Sequence, residues 1–264
     1  MLEVLDKLTT SAVLVPLVLM VLPAYFGMIF FLESVFNAFT HELLTLMGRE
    51  SAVAMVWMFM CLVIRAAAIH LSVPLPLGLV FAFPLLAQKV SSLFGCPHPL
   101  LVVRVMEGLM GRTQAKHLTI LIPAHFVGHI IGAVAYASSF GTLLGMEALQ
   151  PIGTHSGGGS AAMGAMFGEM LIVAAYAGLQ LVMPELLAVN GMSRYWLSVF
   201  FLPLFLHGGM TFNPCAVYAL WFVGGYGNMQ PQHVVAPFLG SLFASVFCTI
   251  VTPDDKKSWR AVKQ

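Results

Sequence analysis

Charged residues are scarce in this chain of 264 residues. They make up 9% of it, against about 25% in soluble domains, whereas hydrophobic residues make up 59% and the mean hydropathy is +0.90. A surface this apolar would aggregate in water, so the surrounding solvent is expected to be largely lipid. In lipid every backbone polar group needs an internal partner, and apolar runs of about 20 residues suit helices rather than strands. The composition therefore predicts an all-α membrane protein.

Cysteine is also scarce, and its placement excludes a disulfide framework. The four cysteines are Cys61, Cys96, Cys215 and Cys248, and three of them lie in apolar segments without paired spacing. Such a pattern is not that of a disulfide-stapled secreted domain. The first apolar run, from Ser11, lacks a clean small-residue cleavage pattern, so it is expected to be a retained span.

Six apolar segments are long enough to cross a bilayer as helices. They lie at about 11–32, 51–69, 118–140, 161–183, 195–210 and 233–252. Two further apolar pieces, at about 74–86 and 214–223, are too short to cross and each begins at a proline. Proline suits a first helical position because the N–H that it lacks has no helical partner there. These two pieces are therefore predicted to be half-helices.

The basic residues predict how the chain crosses the bilayer. If the N-terminus is cytoplasmic, ten of the twelve basic residues face inward, Arg49 faces outward and Arg65 lies in the inner part of the second span. The ten are Lys7, Lys89, Arg104, Arg112, Lys116, Arg194, Lys256, Lys257, Arg260 and Lys263. The positive-inside rule then predicts a multi-pass integral membrane protein with six spans and both termini cytoplasmic. The first short piece enters from the inner face and the second from the outer face.

Two short segments that enter from opposite faces are typical of an inverted repeat. The chain is thus expected to be a single channel domain over 1–264, with a first repeat at 11–140 and a second at 161–252. Gly128 and Gly132 in the third span, and Gly240 and Ala244 in the sixth, are four residues apart. Small residues at this spacing predict close helix contacts in the bilayer.

Half-helices that meet at their N-termini would direct unpaired N–H groups at one place near the midplane. This positive region repels cations, while water and small uncharged solutes pass. An asparagine at a helix tip, such as Asn213, offers an NH₂ donor to a passing oxygen.

The segment "GGMTFNPCAV", followed by "HVVAPFLGSLFASV", resembles the second Asn-Pro-Ala box and the sixth span of the aquaporin (major intrinsic protein) family. The segment "HFVGHIIGAVAYA" is similar to the third span, "GEMLIVAAYAGLQLV" to the fourth, and "HLSVPL", at 70–75, stands where the family has its first box. The resemblance covers about 50–252. It implies six spans and two half-helices, a passive channel for water or small uncharged solutes, no enzymatic activity, no cofactor and a homotetramer.

This chain departs from the family pattern at the pore. The second box is Asn213-Pro214-Cys215, the first is Val73-Pro74-Leu75 or uses Ser72, and Ala216 stands in place of the selectivity arginine. The other constriction positions are Phe201 and Met210, which predicts an apolar, uncharged filter. Such departures resemble the unorthodox branch of the family, the superaquaporins and small basic intrinsic proteins.

Other polar residues in the apolar segments have structural interpretations. The resemblance implies that Glu169 braces a re-entrant loop by accepting backbone N–H bonds, and Arg65 is expected to snorkel to the cytoplasmic surface. His125 and His129 have a spacing that can bind a metal. We expect instead packing histidines bonded to neighbouring carbonyls, because no carboxylate or cysteine joins them in that span.

Two other classes of function remain as alternatives, besides a channel fold that serves as a scaffold with little permeation. One is an ion-coupled or metal transporter that uses Arg65, Glu169, His125 and His129. The other is an intramembrane serine protease that uses Ser160 with His233. For the channel we expect no catalytic residue, no bound metal and no nucleic-acid partner, only solutes and the lipid bilayer.

Overall fold

A computed structural model of the protein describes residues 42–71, 100–111, 113–150, 170–175, 213–225 and 231–251, with isolated helical positions at 27, 31, 34, 35, 163, 164 and 166–168. Every regular element in these ranges is helical. The elements are α1 Glu42–Leu71, α2 Leu101–Leu109, α3 Ala115–Ser139, α4 Gly141–Leu144, a 3₁₀ turn Met146–Leu149, α5 Pro214–Gly224 and α6 Pro231–Val251. By length and composition, α1 and α3 can cross a membrane, over Glu42–Val63 and His117–Ser139.

Four predicted segments correspond to helices of the structure. The predicted spans 51–69, 118–140 and 233–252 are α1, α3 and α6, and the predicted half-helix 214–223 is α5. The predicted segments 74–86 and 195–210 lie outside the described residues, and 11–32 and 161–183 lie largely outside them. The helical content of the fold class is therefore confirmed for the described part of the chain.

Helix α5 has clear start and stop signals. Asn213 is its N-cap, and the side-chain oxygen Oδ1 accepts a hydrogen bond from the backbone N–H of Cys215 at 3.1 Å. Pro214 occupies the first helical turn, as predicted. The helix ends at Gly225, whose φ of 62° is left-handed and whose N–H donates to the Trp221 carbonyl at 3.1 Å.

Glycines let α1 and α3 pack with their backbones in close contact. A Cβ atom at Gly128 would lie 2.3 Å from the carbonyl oxygen of Ser51, and one at Gly132 would lie 2.4 Å from that of Met55. Neither position has room for a side chain. The close helix contact that the spacing of Gly128 and Gly132 predicts is therefore confirmed.

The second pair of small residues lies at another helix contact. A Cβ atom at Gly240 would lie 2.6 Å from the carbonyl oxygen of Met170, and Ala244 is buried in a core cluster with Val173. The same cluster includes the buried face of α2, represented by Val103. Helix α6 thus packs between α2 and residues 170–175.

Helices α1 and α3 run parallel to each other. Ser51 Oγ donates to the Ala124 carbonyl at 3.1 Å, and eight residues further along α1 the ring of Phe59 lies 5.7 Å from that of Phe140. The glycine contacts lie between these two levels. Partners therefore advance in the same direction along both helices.

This direction corrects one part of the predicted topology, the antiparallel course of the spans 51–69 and 118–140. Arg104 Nη2 donates to Glu50 Oε1 at 2.8 Å, near the beginning of α1. Arg65 lies about 22 Å further along that helix at 1.5 Å per residue, and donates to the carbonyl of Gln150 beyond the end of α3. The two arginines therefore lie at different levels along α1. Because α1 and α3 run parallel, the two spans do not have the antiparallel directions that follow from counting 51–69 and 118–140 as consecutive crossings. The sidedness, with both termini cytoplasmic, stays a prediction.

Arg65 also differs from its predicted environment. Its side chain is buried, with 4% exposure, instead of extending to a membrane surface. One guanidinium nitrogen donates to Gln150, while Nε and Nη1 have no hydrogen-bond partner. The contact ties the end of α1 to the chain that follows α3.

Helices α2 and α5 both begin near the middle of α3 and run toward opposite ends of it. A short turn joins α2 to α3, and Gly108 packs against Leu118, so α2 is antiparallel to α3. Nine residues of helix span about 13 Å, which brings the start of α2 to the central part of α3. Asn213, at the start of α5, bonds to His129 at 2.9 Å, and α5 then extends toward the cluster that contains Tyr136.

The two short helices occupy related positions. Each packs against both α3 and α6, with the larger contact of α2 on α6 and that of α5 on α3. Leu100, the N-cap of α2, precedes Gly128 by 28 residues, and Asn213 precedes Gly240 by 27. Among the described residues, α2 is therefore the counterpart of α5. The prediction assigned that place to 74–86, which lies outside the described residues.

Substitution of Gly128 by alanine should destabilise the protein. The added Cβ atom would lie 2.3 Å from a backbone carbonyl, so α1 and α3 must separate, at a cost of ~1–3 kcal/mol in the free energy of unfolding. Thermal unfolding in detergent measures the change. Gly168→Ala is the matched control, because no atom lies within 4 Å of its added Cβ. Equal melting temperatures for the two variants would contradict the close contact of α1 and α3 at Gly128.

Candidate functional site

A chain of polar side chains, all buried except the partly exposed Arg104, crosses the middle of the bundle. It runs from Arg104 on α2 to Glu50 on α1, then to His125 and His129 on α3, and ends at Asn213 at the start of α5. Glu50 and both histidines are fully buried, and Asn213 is 3% exposed. Buried polar groups are costly in apolar surroundings unless each finds a partner. The bonds between them therefore determine which arrangement of helices is tolerated.

The carboxylate of Glu50 connects three helices. Its Oε1 accepts from Arg104 Nη2 at 2.8 Å, and its Oε2 lies 2.8 Å from His125 Nε2. Arg104 also donates through Nη1 to Glu107, one turn further along α2. A buried carboxylate paired with a guanidinium keeps its charge compensated. This pairing holds α2 against α1 and α3.

The bond to Glu50 determines how the ring of His125 is protonated. An ionised carboxylate only accepts hydrogen bonds, so His125 Nε2 carries a hydrogen and donates. Its other ring nitrogen, Nδ1, is buried and has no hydrogen-bond partner. In the neutral ring this nitrogen presents a lone pair, which a water molecule or a solute hydroxyl is able to donate to.

The bonds of Asn213 determine how the ring of His129 is protonated. Because Asn213 Oδ1 accepts from the N–H of Cys215, the other end of the amide is Nδ2, a donor. Nδ2 lies 2.9 Å from His129 Nε2, which must therefore accept. The hydrogen of the neutral ring is then on Nδ1, which donates to the carbonyl of His125 at 2.8 Å. Every bond in this segment is satisfied by neutral groups.

The polar chain does not provide a proton path between the two histidines. Their rings are stacked, with centroids 6.2 Å apart, and no direct bond joins their nitrogens. His129 Nδ1 bonds to the backbone carbonyl of His125, and a carbonyl oxygen does not pass a proton on. The arrangement therefore fixes helices and side-chain orientation without forming a continuous proton path.

The described residues of the second predicted box lie together at the start of α5. Asn213, Pro214, Cys215 and Ala216 are all buried, and Asn213 is 3% exposed. Asn213 does not present a free amide, because both of its polar atoms already have a protein partner. One of the two hydrogens on Nδ2 remains for a further bond.

Several predicted site residues lie outside the described part of the chain. They are Ser72, Val73, Pro74, Leu75, Glu169, Phe201 and Met210. Ser160, on which the protease alternative depends, is also outside it. Their roles stay predictions.

The two histidines agree only in part with their predicted role. His129 binds a neighbouring carbonyl, as expected, whereas His125 binds the carboxylate of Glu50 from another helix. Within the described ranges, no group of three or more His, Cys, Asp or Glu residues is arranged to hold a metal ion. Both nitrogens of His129 are already in hydrogen bonds, which leaves no lone pair for a metal.

Sequence reasoning did not single out Glu50 or Leu100. The signal for Glu50 was a carboxylate close to an apolar run, since ionisable residues in membrane helices are functional candidates by default. The signal for Leu100 was the segment "CPHPLLVVRVMEG", in which Pro99 precedes a short apolar run. That run precedes Gly128 by almost the same interval as α5 precedes Gly240.

Comparisons of this chain with protein families, with curated proteins and with solved structures find no match.

Replacement of Glu50 by leucine should destabilise the protein strongly. The variant removes the carboxylate that pairs with Arg104 Nη2 and His125 Nε2, so the guanidinium keeps only Glu107. Loss of one member of a buried pair costs ~3–5 kcal/mol. Thermal unfolding in detergent measures the loss. Glu42→Gln is the control, because Glu42 lies on an exposed position of the same helix.

The double variant Glu50→Leu/Arg104→Leu tests the pairing itself. It removes both charges, so it should recover part of the stability lost in the single variant. Additive losses in the double variant would show that the two residues do not interact.

Proposed function

We propose that this protein is a multi-pass membrane channel of the aquaporin type, which passes water or small uncharged solutes such as glycerol or hydrogen peroxide down their gradients. The observation that carries the proposal is the pair of short helices, α2 and α5. Both begin near the central part of α3 and run to opposite ends of it. Half-helices that enter from the two faces of a membrane and meet at their starts have this geometry.

The electrostatics of two helix starts explain what such a site admits. Each N-terminus carries roughly half a positive charge from its unpaired N–H groups. Two of them at one level, at the junction where α2 and α5 begin, make a region that repels cations. A neutral molecule with an acceptor oxygen binds N–H donors there favourably. The proposed selectivity thus rests on backbone dipoles rather than on a charged side chain.

The two helix starts contribute differently to the proposed pore. Asn213 supplies a side-chain NH₂ group at the start of α5, whereas Leu100, the N-cap of α2, has no side-chain capping bond. Only backbone groups would serve on the side of α2. We propose that Phe201, Met210 and Ala216 form the outer constriction, which lacks a charged residue.

A proton- or ion-coupled transporter is the second candidate, because Glu50 and Arg104 are ionisable groups inside the bundle. Coupled transport needs an ionisable group that changes its charge during the cycle. The charges of Glu50 and Arg104 compensate each other at 2.8 Å, and the bond of His129 to a carbonyl interrupts the path to Asn213. These bonds support a passive channel over a proton carrier.

We further propose that the channel is a homotetramer in the bilayer. Large apolar side chains on α3 and α6 are exposed on the single chain. They include Val127, Ile131, Val134, Leu242, Phe243, Val246, Phe247 and Ile250. In a membrane, lipid and neighbouring subunits would cover them. Light scattering of the detergent-solubilised protein should give the mass of four chains, and a monomer mass would contradict this proposal.

The channel is tested by reconstitution of the full-length protein in liposomes. Stopped-flow light scattering should show faster osmotic shrinkage than in empty liposomes, and glycerol uptake measured in parallel defines the solute range. No electrical current and no pH change should accompany the flux. Shrinkage at the rate of empty liposomes, with folded protein present, would contradict the channel. A proton-driven current would favour the transporter.

Asn213→Asp should weaken the exclusion of cations. The carboxylate cannot donate to His129, and its negative charge offsets the positive field of the helix starts. Proton flux into the liposomes, measured with a pH-sensitive dye, should rise relative to water flux. Gln114→Glu is the control, since Gln114 is an exposed N-cap on α3 and gains the same charge away from the junction.

A further inference from the structure

We propose that His129 is a positioning residue that determines selectivity by locking the amide of Asn213 in one orientation. This inference rests on the proposed channel function and adds a residue that the pattern of that pore does not include. The ligand concerned is a neutral molecule with an acceptor oxygen, such as water or an alcohol. His129 acts through Asn213 and does not contact the solute itself.

Three hydrogen bonds make the lock. His129 Nδ1 donates to the carbonyl of His125 at 2.8 Å, which leaves Nε2 as an acceptor. Asn213 Nδ2 donates to that Nε2 at 2.9 Å, and Asn213 Oδ1 accepts from the N–H of Cys215 at 3.1 Å. Once His129 Nδ1 donates to the carbonyl of His125, the donor and the acceptor in the other two bonds are fixed.

The opposite orientation of the Asn213 amide would be unfavourable at both of its contacts, with His129 and with Cys215. Rotation by 180° would place Asn213 Oδ1 against the lone pair of His129 Nε2, and Nδ2 against the N–H of Cys215. Two acceptors would then face each other at His129, and two donors at Cys215. Both side chains are buried, so water would not separate these groups. An unsatisfied buried polar group costs about 1–3 kcal/mol. The amide therefore keeps its nitrogen end toward His129.

The orientation decides which end of the amide takes part in binding solute. Asn213 Nδ2 has a second hydrogen beyond the one given to His129, so the locked amide still has a donor for an acceptor oxygen. A free amide would turn its oxygen toward a cation and stabilise it. The lock thus prevents an amide at the junction from acting as a cation ligand.

His129 is suited to this role by its environment. It lies one turn from His125, whose carbonyl fixes its ring and whose own side chain is held by Glu50 at 2.8 Å. The ring stands on a helix that α1 packs against closely at Gly128 and Gly132. The acceptor nitrogen is therefore held in place from two sides.

The test compares His129→Leu with His129→Gln in liposomes that contain the full-length protein. Leucine removes the acceptor, so proton flux or potassium flux should rise several-fold relative to water flux. Glutamine can place Oε1 near the position of Nε2, so it should restore the wild-type ratio of the two fluxes. Ser51→Ala is the control, because it removes a bond between α1 and α3, Ser51 Oγ to the Ala124 carbonyl, and leaves the amide of Asn213 untouched.

The ratio of fluxes separates positioning from a merely structural role. If His129 only stabilises the fold, water and proton fluxes should fall together in His129→Leu and the ratio should not change. That result, with water flux present in the wild type, would overturn the inference and leave the channel intact. A wild type that passes no water would overturn the channel itself.

A spectroscopic measurement tests the lock without transport. In ¹⁵N-histidine-labelled protein in lipid, the signal of His129, assigned by its loss in His129→Gln, should show an unprotonated Nε2 and a protonated Nδ1. Asn213→Leu should shift the Nε2 resonance, whereas Ser51→Ala should not. A protonated Nε2 in the wild type would overturn the lock, whatever the fluxes show.

Discussion

Helices that begin inside an apolar bundle impose the constraint on which the rest of this structure depends. The first N–H groups of a helix have no partner within it, and away from water such groups need one. Helix α5 meets this need with Pro214, which has no N–H, and with Asn213, whose Oδ1 accepts from the N–H of Cys215. The junction is polar because two helices begin there, and this is the property that a channel for neutral solutes would use.

Glu50 and Arg104 bring charged groups close to the starts of the two short helices. The carboxylate of Glu50 on α1 contacts both α2 and α3, since it binds Arg104 and His125 at 2.8 Å each. Such a pair adds little net stability compared with an apolar replacement, but it is costly to break. Its effect is therefore mainly on specificity, because it selects the arrangement in which α2 begins beside the middle of α3. The pair places α2 opposite α5 across the junction.

The local features of the fold were predictable from the sequence. Apolar length identified α1, α3 and α6, the Asn213-Pro214 pair identified the start of α5, and the spacing of Gly128 and Gly132 identified a close helix contact. Each of these depends on residues within a few turns of one another. Helical periodicity, capping and the absence of a side chain act over that range, so a single segment carries the information.

Pairings across the fold were decided by the tertiary structure alone. Glu50 and His125 are 75 residues apart in sequence, and His129 and Asn213 are 84 apart. Which end of the bundle holds Arg65, and which short helix is the counterpart of α5, depends on how often the intervening chain reverses direction. Hydrophobic patterns do not determine that count, since an apolar segment can lie along the bundle in either direction. The sequence by itself determined α1, α3, α5 and α6 and the start of α5. The position of α2, and the directions and polar partners of the helices, were decided by packing across the fold, above all by that of α1 against α3.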